Sequence, residues 1–260
     1  MSLLPLEVTD LRGYSWLALS AIMASFVNTL AGGGSLISFP ALTGFGLSAL
    51  VANVTNSVAL MPGYLAAVQG SRRDLHGQGS RIVLLVPPAL IGGVVGSQIL
   101  LTMGQSTFLS LVPWLLLLGS LLLAVQEPLQ AMNLRNQSKR RGSVSVVWSI
   151  VAIFLAGLYG GFFGAGMGVI VLAVLTLLFD DDLIRLNSLK QAISLAVNLA
   201  ALPSFLISGL VQWPAAFVMA FGAVIGGIIG GHFSGKVNPR QLRILVVLIG
   251  LILSLVFFLR

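Results

Sequence analysis

Ala31-Gly32-Gly33-Gly34, a glycine run inside a long apolar stretch, aligns with Ala165-Gly166-Met167-Gly168 when the chain is shifted against itself by 134 residues. The same shift places residues 89–96 on residues 223–230 without a gap. The basic loops of the two copies, however, lie at positions that do not correspond. In a membrane protein, this mismatch predicts that the second copy crosses the bilayer in the opposite sense. Such inverted repeats are typical of secondary transporters, which bind substrate between the two halves.

The composition indicates a membrane protein. Apolar residues make up 57% of the 260 residues and charged residues only 8%, too few to cover a soluble domain of this length. Apolar stretches long enough to cross about 30 Å of hydrocarbon recur along the chain. The net charge is +7, but the cations lie in short loops rather than on a basic face with interleaved aromatic residues. We therefore expect the lipid bilayer, and not nucleic acid, as a partner.

Several classes of chemistry are absent from the sequence. The chain has no cysteine, which excludes disulfides, thiolate metal sites and cysteine nucleophiles. All seven acidic residues lie in termini or loops, so no carboxylate is available in mid-membrane for a proton or sodium relay. No nucleophile–base pair and no set of metal ligands is visible, and we expect no enzyme, metal or other cofactor. Residues 1–13 do not resemble a secretory signal, so we expect the first apolar run to be a retained membrane segment.

Two of the apolar stretches are too long for one straight helix. Residues 14–46 are interrupted by Gly32, Gly33 and Gly34, and residues 144–179 by Gly164, Gly166 and Gly168. Glycine weakens a helix interior by about 1 kcal/mol relative to alanine and also permits positive φ. Each stretch could be one long tilted helix, or two shorter helices that meet at a glycine turn. The other apolar runs cover approximately residues 48–69, 82–104, 107–126, 187–209, 215–235 and 244–259.

The distribution of cations favours chain reversal at the glycines. If both long stretches cross once, eight spans result, and the two sides receive 9 and 5 of the 14 lysines and arginines. If both stretches fold back, ten segments result and the split becomes 12 to 2, a much sharper bias of the kind that sets orientation. We therefore predict five segments in each half and both termini outside. Residues 35–46 and 167–179 would cross only partly, because helices of that length rise about 18–20 Å.

These patterns predict an all-α membrane protein, a polytopic helical bundle of two inverted repeats. It would have about eight full spans, or ten segments if the glycine-broken hairpins are counted. The first repeat covers residues 1–134 and ends in a basic cytoplasmic loop that continues to residue 143. The second, inverted repeat covers residues 144–260.

The glycine turns are the first candidate binding site. Each leads into a short helix, which begins at Ser35 in the first half and near Met167 in the second. A helix N-terminus has unpaired N–H groups and partial positive charge, so two such ends could converge on one anion. The alternative is that these glycines only allow close packing, as we expect for Gly92-x-x-x-Gly96 and Gly226-x-x-x-Gly230. The site predicted around the turns comprises Asn28, Gly32, Gly33, Gly34, Ser35, Gly164, Gly166 and Gly168.

Polar residues inside the apolar runs form the second candidate. Asn53 and Asn56 are three residues apart and share a helix face, as do Asn187 and Lys190. The 134-residue shift places Lys190 on Asn56, so the pair carries a single positive charge. We expect Lys190 to attract an anion and the amides to replace its hydration; the alternative is that Lys190 merely ends a cytoplasmic loop. The predicted lining is completed by Gln191 and Ser194, with Asn198 one turn further along.

These motifs resemble the TauE/SafE sulfite exporter family. Asn28-Thr-Leu-Ala-Gly-Gly-Gly-Ser-Leu-Ile-Ser-Phe-Pro-Ala-Leu and Ala52-Asn-Val-Thr-Asn-Ser-Val-Ala-Leu resemble its first-half signature. Gly160-Gly-Phe-Phe-Gly-Ala-Gly-Met-Gly and Asn187-Ser-Leu-Lys-Gln resemble its second half. The sequence departs from the family pattern at Met167 and Val174, where many members have glycine and proline. The resemblance implies a permease for sulfite, organosulfonates or other sulfur-containing or organic anions, in either direction.

The function expected from the sequence is export of a small oxyanion, sulfite or a sulfonate, across the cell (inner) membrane by alternating access. A monovalent anion that leaves a negative-inside cell gains about 2.3 kcal/mol per 100 mV, so export needs no coupling ion. An uptake permease for organic or carboxylate anions, an anion channel and a membrane scaffold stay open as alternatives. The expected partners are a small anionic substrate and the lipid bilayer, and the protein could form a homo-oligomer.

Overall fold

The chain is all α-helical wherever the computed structural model describes it. The structure describes the backbone of residues 11–30, 32–136, 145–233 and 239–259. It also describes the side chains of these residues, except those of residues 126–136 and 239–240. The first ten residues and most of the predicted basic loop between the halves lie outside the described residues. The helices are α1 (Leu11–Leu30), α2 (Ser35–Gly44), α3 (Ala49–Gly70), α4 (Gly79–Thr102), α5 (Gln105–Asn136), α6 (Val146–Phe162), α7 (Met167–Leu178), α8 (Leu183–Ile207), α9 (Trp213–Phe233) and α10 (Pro239–Phe258).

Six of these helices are long and apolar enough to cross a membrane: α3, α4, α5, α8, α9 and α10. The shorter apolar helices are α2, α6 and α7, with 10, 17 and 12 residues. Both long glycine-broken stretches are divided, because α1 ends at Leu30 and α6 at Phe162. The alternative of one continuous tilted helix is therefore wrong for each stretch.

Three helix boundaries differ from the sequence prediction by four or more residues: the starts of α8 and α10 and the end of α5. Helix α8 begins four residues early because the Asp182 carboxylate accepts a hydrogen bond from the Ile184 amide at 3.2 Å and caps the first turn. Helix α5 extends ten residues beyond its predicted end at residue 126. That extension contains good helix formers such as Gln130 and Ala131, which keep the helix going after the apolar run has ended.

The chain reverses direction at the first break, and the second break contains an equivalent glycine turn. The ring of Tyr14, near the start of α1, lies 5.3 Å from the ring of Phe45, at the end of α2, so α2 folds back along α1. Gly32 and its repeat equivalent Gly166 adopt φ values of +81° and +82°, which L-amino acids with side chains rarely tolerate. In the second turn, the Tyr159 hydroxyl donates to the Ala165 carbonyl at 2.7 Å.

Helices of the two halves pack through glycines that allow backbone contact. Any Cβ on Gly92 or Gly96 of α4 would overlap carbonyl oxygens of Phe154 or Leu158 on α6. Residue numbers rise together along this contact, so α4 and α6 run parallel. Helices α9 and α1, their repeat equivalents, make the same kind of contact, in which Gly222 and Gly226 meet the carbonyls of Ala18 and Ile22. The expected packing role of these glycine motifs is confirmed.

Helices α3 and α8 occupy equivalent positions in the two repeats but run in opposite directions. Near the start of α3, the Thr55 hydroxyl accepts a 3.0 Å hydrogen bond from the backbone N–H of Gln212, a residue that follows the end of α8. Beyond the end of α3, the Gln78 amide donates to the Arg185 carbonyl near the start of α8, at 2.9 Å. This antiparallel arrangement places polar residues of α3 and α8 against the broken helices of the opposite half.

We predict that Gly96→Ala lowers the thermal unfolding midpoint in detergent, because the added methyl group would overlap the Leu158 carbonyl oxygen. Overpacking of this kind typically costs about 1–3 kcal/mol. Gly79→Ala is the matched control in the same helix, since no atom lies within 4 Å of a Cβ there. The control should be neutral or slightly stabilised, because alanine favours helix by about 1 kcal/mol over glycine. Equal shifts in both variants would contradict this contact.

Candidate functional site

The two glycine turns meet, as the repeat predicts. A Cβ on Gly32 would lie 3.1 Å from the Val169 amide nitrogen and 3.2 Å from the Gly168 carbonyl carbon. A Cβ on Gly168 would in turn lie 3.5 Å from the Cα of Gly32. Because α2 begins at Ser35 and α7 at Met167, both short helices start close to this contact.

Polar side chains of α8 close the broken end of α1. The Lys190 ammonium donates to the Asn28 carbonyl at 3.0 Å, and the Gln191 amide donates to the Thr29 carbonyl at 3.1 Å. The Asn187 amide donates to the same Thr29 carbonyl at 3.0 Å. The last carbonyls of a helix lack intrahelical partners and carry partial negative charge, so amide and ammonium donors stabilise this end.

An equivalent asparagine closes the broken end of α6. The Asn53 amide donates at 3.0 Å to the carbonyl of Phe162, the last residue of that helix. The 134-residue shift places Asn53 on Asn187 and Asn28 on Phe162, so equivalent asparagines close equivalent helix ends. The acceptors differ by one residue, because Asn187 donates to the carbonyl of Thr29. They differ at the next position of the motif, where α3 has Asn56 and α8 has Lys190. The arrangement therefore contains one buried amine in place of a second asparagine, and the two halves are not symmetric at this position.

Lys190 lies inside α8 with no exposed surface, as does its neighbour Gln191. It therefore does not end a loop, contrary to the alternative interpretation of the sequence. A groove of about 420 Å³ lies elsewhere, between α4 and the end of α8, and contains none of the predicted site residues. Within the described residues, no group of His, Cys, Asp or Glu could hold a metal ion.

Several buried oxygen atoms near these helix breaks have no hydrogen-bond partner among the described residues. A buried polar group without a partner costs about 1–3 kcal/mol, so each of these atoms would be stabilised by a hydrogen bond from water or from a polar ligand. Three of the residues that carry them, Asn187, Gln191 and Ser194, share one face of α8. The unpartnered atoms are Ser38 Oγ, Asn56 Oδ1, Asn187 Oδ1, Gln191 Oε1 and Ser194 Oγ.

Not every predicted glycine lies at the meeting point of the turns. A Cβ on Gly34 would overlap the Ala24 carbonyl oxygen on α1, and one on Gly33 would lie 3.2 Å from the Leu123 side chain on α5. Gly166 similarly lies against Gly119 of α5, and Gly164 is partly exposed. At Gly33, Gly34 and Gly166 the packing alternative fits the contacts. Gly32 and Gly168 are the predicted glycines through which the two turns touch each other.

Tyr64 is a site residue that the sequence analysis missed. Its side chain is 5% exposed and lies beside the side chains of Asn28, Ser35 and Asn198. Two sequence signals could have found it. The 134-residue shift places Tyr64 on Asn198, and Tyr64 lies on the face of α3 that carries Asn53. Tyr64 therefore joins α3 to the polar residues that flank the first turn.

Comparison with known proteins is consistent with this arrangement. The sequence matches the family described as "Sulfite exporter TauE/SafE" over residues 17–257. The chain belongs to the TauE/SafE family. It is therefore a multi-pass membrane transporter and not an enzyme, as the sequence predicted. No solved structure matches the chain.

Curated relatives in this family are similar over most of their length. A "Probable membrane transporter protein" of Haemophilus influenzae is 28% identical over 185 residues, which cover 71% of each chain. "Probable membrane transporter protein YfcA" of Escherichia coli K12 is 23% identical over 72% of this chain and 68% of its own. "Probable membrane transporter protein ORF9" of Sinorhizobium sp is 21% identical over 74% of this chain and 72% of its own.

We predict that Gly32→Ala destabilises the protein more than Gly46→Ala. Both glycines have positive φ, +81° and +101°, so the backbone strain of alanine is similar at the two positions. Only at Gly32 does the added methyl group meet the other half, and no atom lies within 4 Å at Gly46. We expect an additional cost of about 1–3 kcal/mol at Gly32, measured as a lower unfolding midpoint in detergent. A larger effect at Gly46 would contradict the contact between the turns.

Proposed function

We propose that this transporter moves a small sulfur-containing oxyanion, sulfite or an organosulfonate, across the inner membrane by alternating access. The observation that carries the proposal is the buried ammonium of Lys190, which lies where the broken helices of both halves meet. Among the described residues, Lys190 has no carboxylate partner, and an unpaired cation is expensive in a membrane interior and would be stabilised by an arriving anion. Transport of an anion would make use of this charge.

The polar groups around Lys190 suit an oxyanion. The amides of asparagine and glutamine carry two N–H donors and an oxygen acceptor, and a serine hydroxyl can donate or accept a hydrogen bond. These side chains can therefore turn their donors towards an incoming anion. The N-terminal turns of α2 and α7 add partial positive charge close to the same point. We propose that the substrate contacts a subset of the predicted residues: Asn28, Gly32, Ser35, Asn56, Gly168, Asn187, Lys190, Gln191 and Ser194.

We further propose that the halves are inverted repeats, with ten segments and both termini outside. The antiparallel course of α3 and α8 supports this topology, as does the equivalence of the α4–α6 and α1–α9 contacts. In alternating access, the α4–α6 and α1–α9 contacts would exchange their geometries. The site would then open first to one side of the membrane and then to the other.

Export is the proposed direction. An anion that leaves a negative-inside cell gains about 2.3 kcal/mol per 100 mV, equivalent to a gradient of roughly fifty-fold, without a coupling ion. The sequence places no acidic residue in mid-membrane that could bind a driving proton or sodium ion. The experiments below test export against two alternatives: uptake of organic or carboxylate anions, and flux through a channel.

The central test is counterflow in proteoliposomes with sulfite, sulfate, thiosulfate, short sulfonates and small carboxylates. We expect saturable exchange of sulfite or a sulfonate that responds to membrane voltage. Exchange of carboxylates alone would instead support the uptake alternative, and non-saturable flux would support a channel. Strict dependence on a proton gradient, without an effect of voltage, would contradict the export mechanism.

Lys190→Gln should reduce the counterflow rate at low substrate concentration by roughly ten- to hundred-fold. This factor corresponds to the loss of one charge-assisted hydrogen bond to the substrate, about 1.5–3 kcal/mol. Arg72→Gln is the matched control, because it removes the same charge from an exposed loop position. Gel filtration and circular dichroism would first establish that both variants fold. Equal rates for the folded Lys190 and Arg72 variants would contradict the assigned role of Lys190.

The topology can be tested by single-cysteine labelling, since the chain contains no native cysteine. We expect Leu75→Cys and Gln241→Cys to react with an impermeant maleimide from the cytoplasmic side, and Leu210→Cys from outside. Eight simple spans would place positions 75 and 241 on opposite sides. Labelling from opposite sides at those two positions would therefore contradict the inverted arrangement.

A further inference from the structure

A cluster of three charged side chains joins the two halves at the start of α4 and α8. Arg81 of α4 forms an ion pair with Asp181, which lies in the linker between α7 and α8. The guanidinium of Arg185, on α8, approaches the same carboxylate at 3.2 Å. The Arg81 guanidinium also lies 4.6 Å from the centre of the Phe179 ring. Two arginines, one from each half, therefore hold a single carboxylate.

The cluster is accessible to a solute and has a net positive charge. The side chains of Arg81, Arg185 and Asp181 are 27%, 37% and 17% exposed. Partial burial raises the pKa of Asp181, but hydrogen bonds from Arg81, the Asp182 amide and Arg185 outweigh this effect and hold the pKa below its usual value. The carboxylate is therefore ionised at neutral pH, and the three groups together carry one positive charge.

The cluster lies at the start of the helix that carries the proposed substrate site, since Arg185 precedes Lys190 by five residues on α8. Gln78, which is 1% exposed, hydrogen-bonds to the Arg81 guanidinium at 3.2 Å and to the Arg185 carbonyl at 2.9 Å. The same amide lies 3.4 Å from the hydroxyl of Ser188, which is fully buried and next to Asn187. A path from this face to Lys190 would have to open between α4 and the start of α8, because Gln78 and Ser188 fill that contact in this conformation.

The opposite face of the molecule has no such cluster at the equivalent positions. The 134-residue shift places Arg81 on Ala215, Arg185 on Val51 and Asp181 on Leu47. The repeat architecture thus forms this junction with apolar side chains in one copy and with charges in the other. The positive-inside bias accounts for cations at this face, but it does not account for a carboxylate held between two of them.

We propose that Arg81 and Arg185 form a receiving site for the transported oxyanion, and that the Asp181 carboxylate occupies this site while the path is closed. Guanidinium groups bind planar carboxylates and other oxyanions through paired N–H donors, so Asp181 and a substrate anion would compete for the same groups. An anion that displaces Asp181 releases the α7–α8 linker from α4. It then lies at the entrance of the path to Lys190.

This inference rests on the proposed anion transport and is tested on the same protein. Asp181→Asn removes the competing carboxylate, so the sulfite concentration that gives half-maximal counterflow from this face should fall by about two- to fivefold, the effect of a partly exposed ion pair. Arg81→Gln should raise that concentration by a similar factor. Asp180→Asn is the matched control, because it makes the same charge change at an exposed neighbouring position.

A second measurement follows the path directly. Ser188→Cys places a reactive thiol beneath the cluster in a chain without other cysteines. In inside-out vesicles, we expect sulfite to accelerate labelling of this cysteine by an impermeant maleimide. With Asp181→Asn, labelling should already be fast without sulfite, whereas with Asp180→Asn it should stay slow.

The possible results separate the two proposals. If no anion exchanges in the unmodified protein, the proposed function is overturned. If sulfite exchanges but Asp181→Asn and Asp180→Asn behave alike in both measurements, only the receiving site is overturned. A lower half-maximal concentration and faster labelling that are specific to Asp181→Asn would support it.

Discussion

Closure of the two broken helix ends is the constraint on which the rest of the structure depends. A helix that stops inside a membrane leaves carbonyl and amide groups without water to bind, and lipid supplies no substitute. Here each end is closed by the other half, since Asn187 and Gln191 donate to the last turn of α1 and Asn53 donates to the last residue of α6. Each repeat therefore needs its partner, which explains why the polar residues of α3 and α8 face the breaks.

The repeat is symmetric in architecture and asymmetric in charge. Equivalent glycines pack equivalent helices, and equivalent asparagines close equivalent breaks, but Lys190 replaces Asn56 in only one half. The charged junction of Arg81, Asp181 and Arg185 is likewise present in one copy and apolar in the other. A duplicated scaffold thus supplies two similar surfaces, and a few substitutions give them different chemistry. On the proposed mechanism, those substitutions attract an anion to one face and bind it between the halves.

Most of the helices could be predicted from hydrophobic runs and glycines, because both signals are local. The breaks after Leu30 and Phe162 follow from glycine conformation, and the starts of the short helices at Ser35 and Met167 agree with the sequence prediction. The extension of α5 and the early start of α8 were missed because helix propensity and the Asp182 cap act outside the apolar runs. Tyr64 was missed for another reason: its neighbours Asn28 and Ser35 come from other helices, and the spacing along α3 does not reveal them.

The sequence by itself determined the membrane class, the duplication, the position of both breaks and several of the polar residues buried beside them. Each of these depends on hydrophobicity or on glycine conformation over a short stretch of chain. Only the tertiary structure decided which atoms these residues contact. Lys190 donates to the end of α1, Gly32 touches Gly168, and Gly34 merely packs against α1. Such contacts join residues from different helices. Which residues meet depends on how each half satisfies the unpaired backbone groups of the other, and no local sequence pattern contains that information.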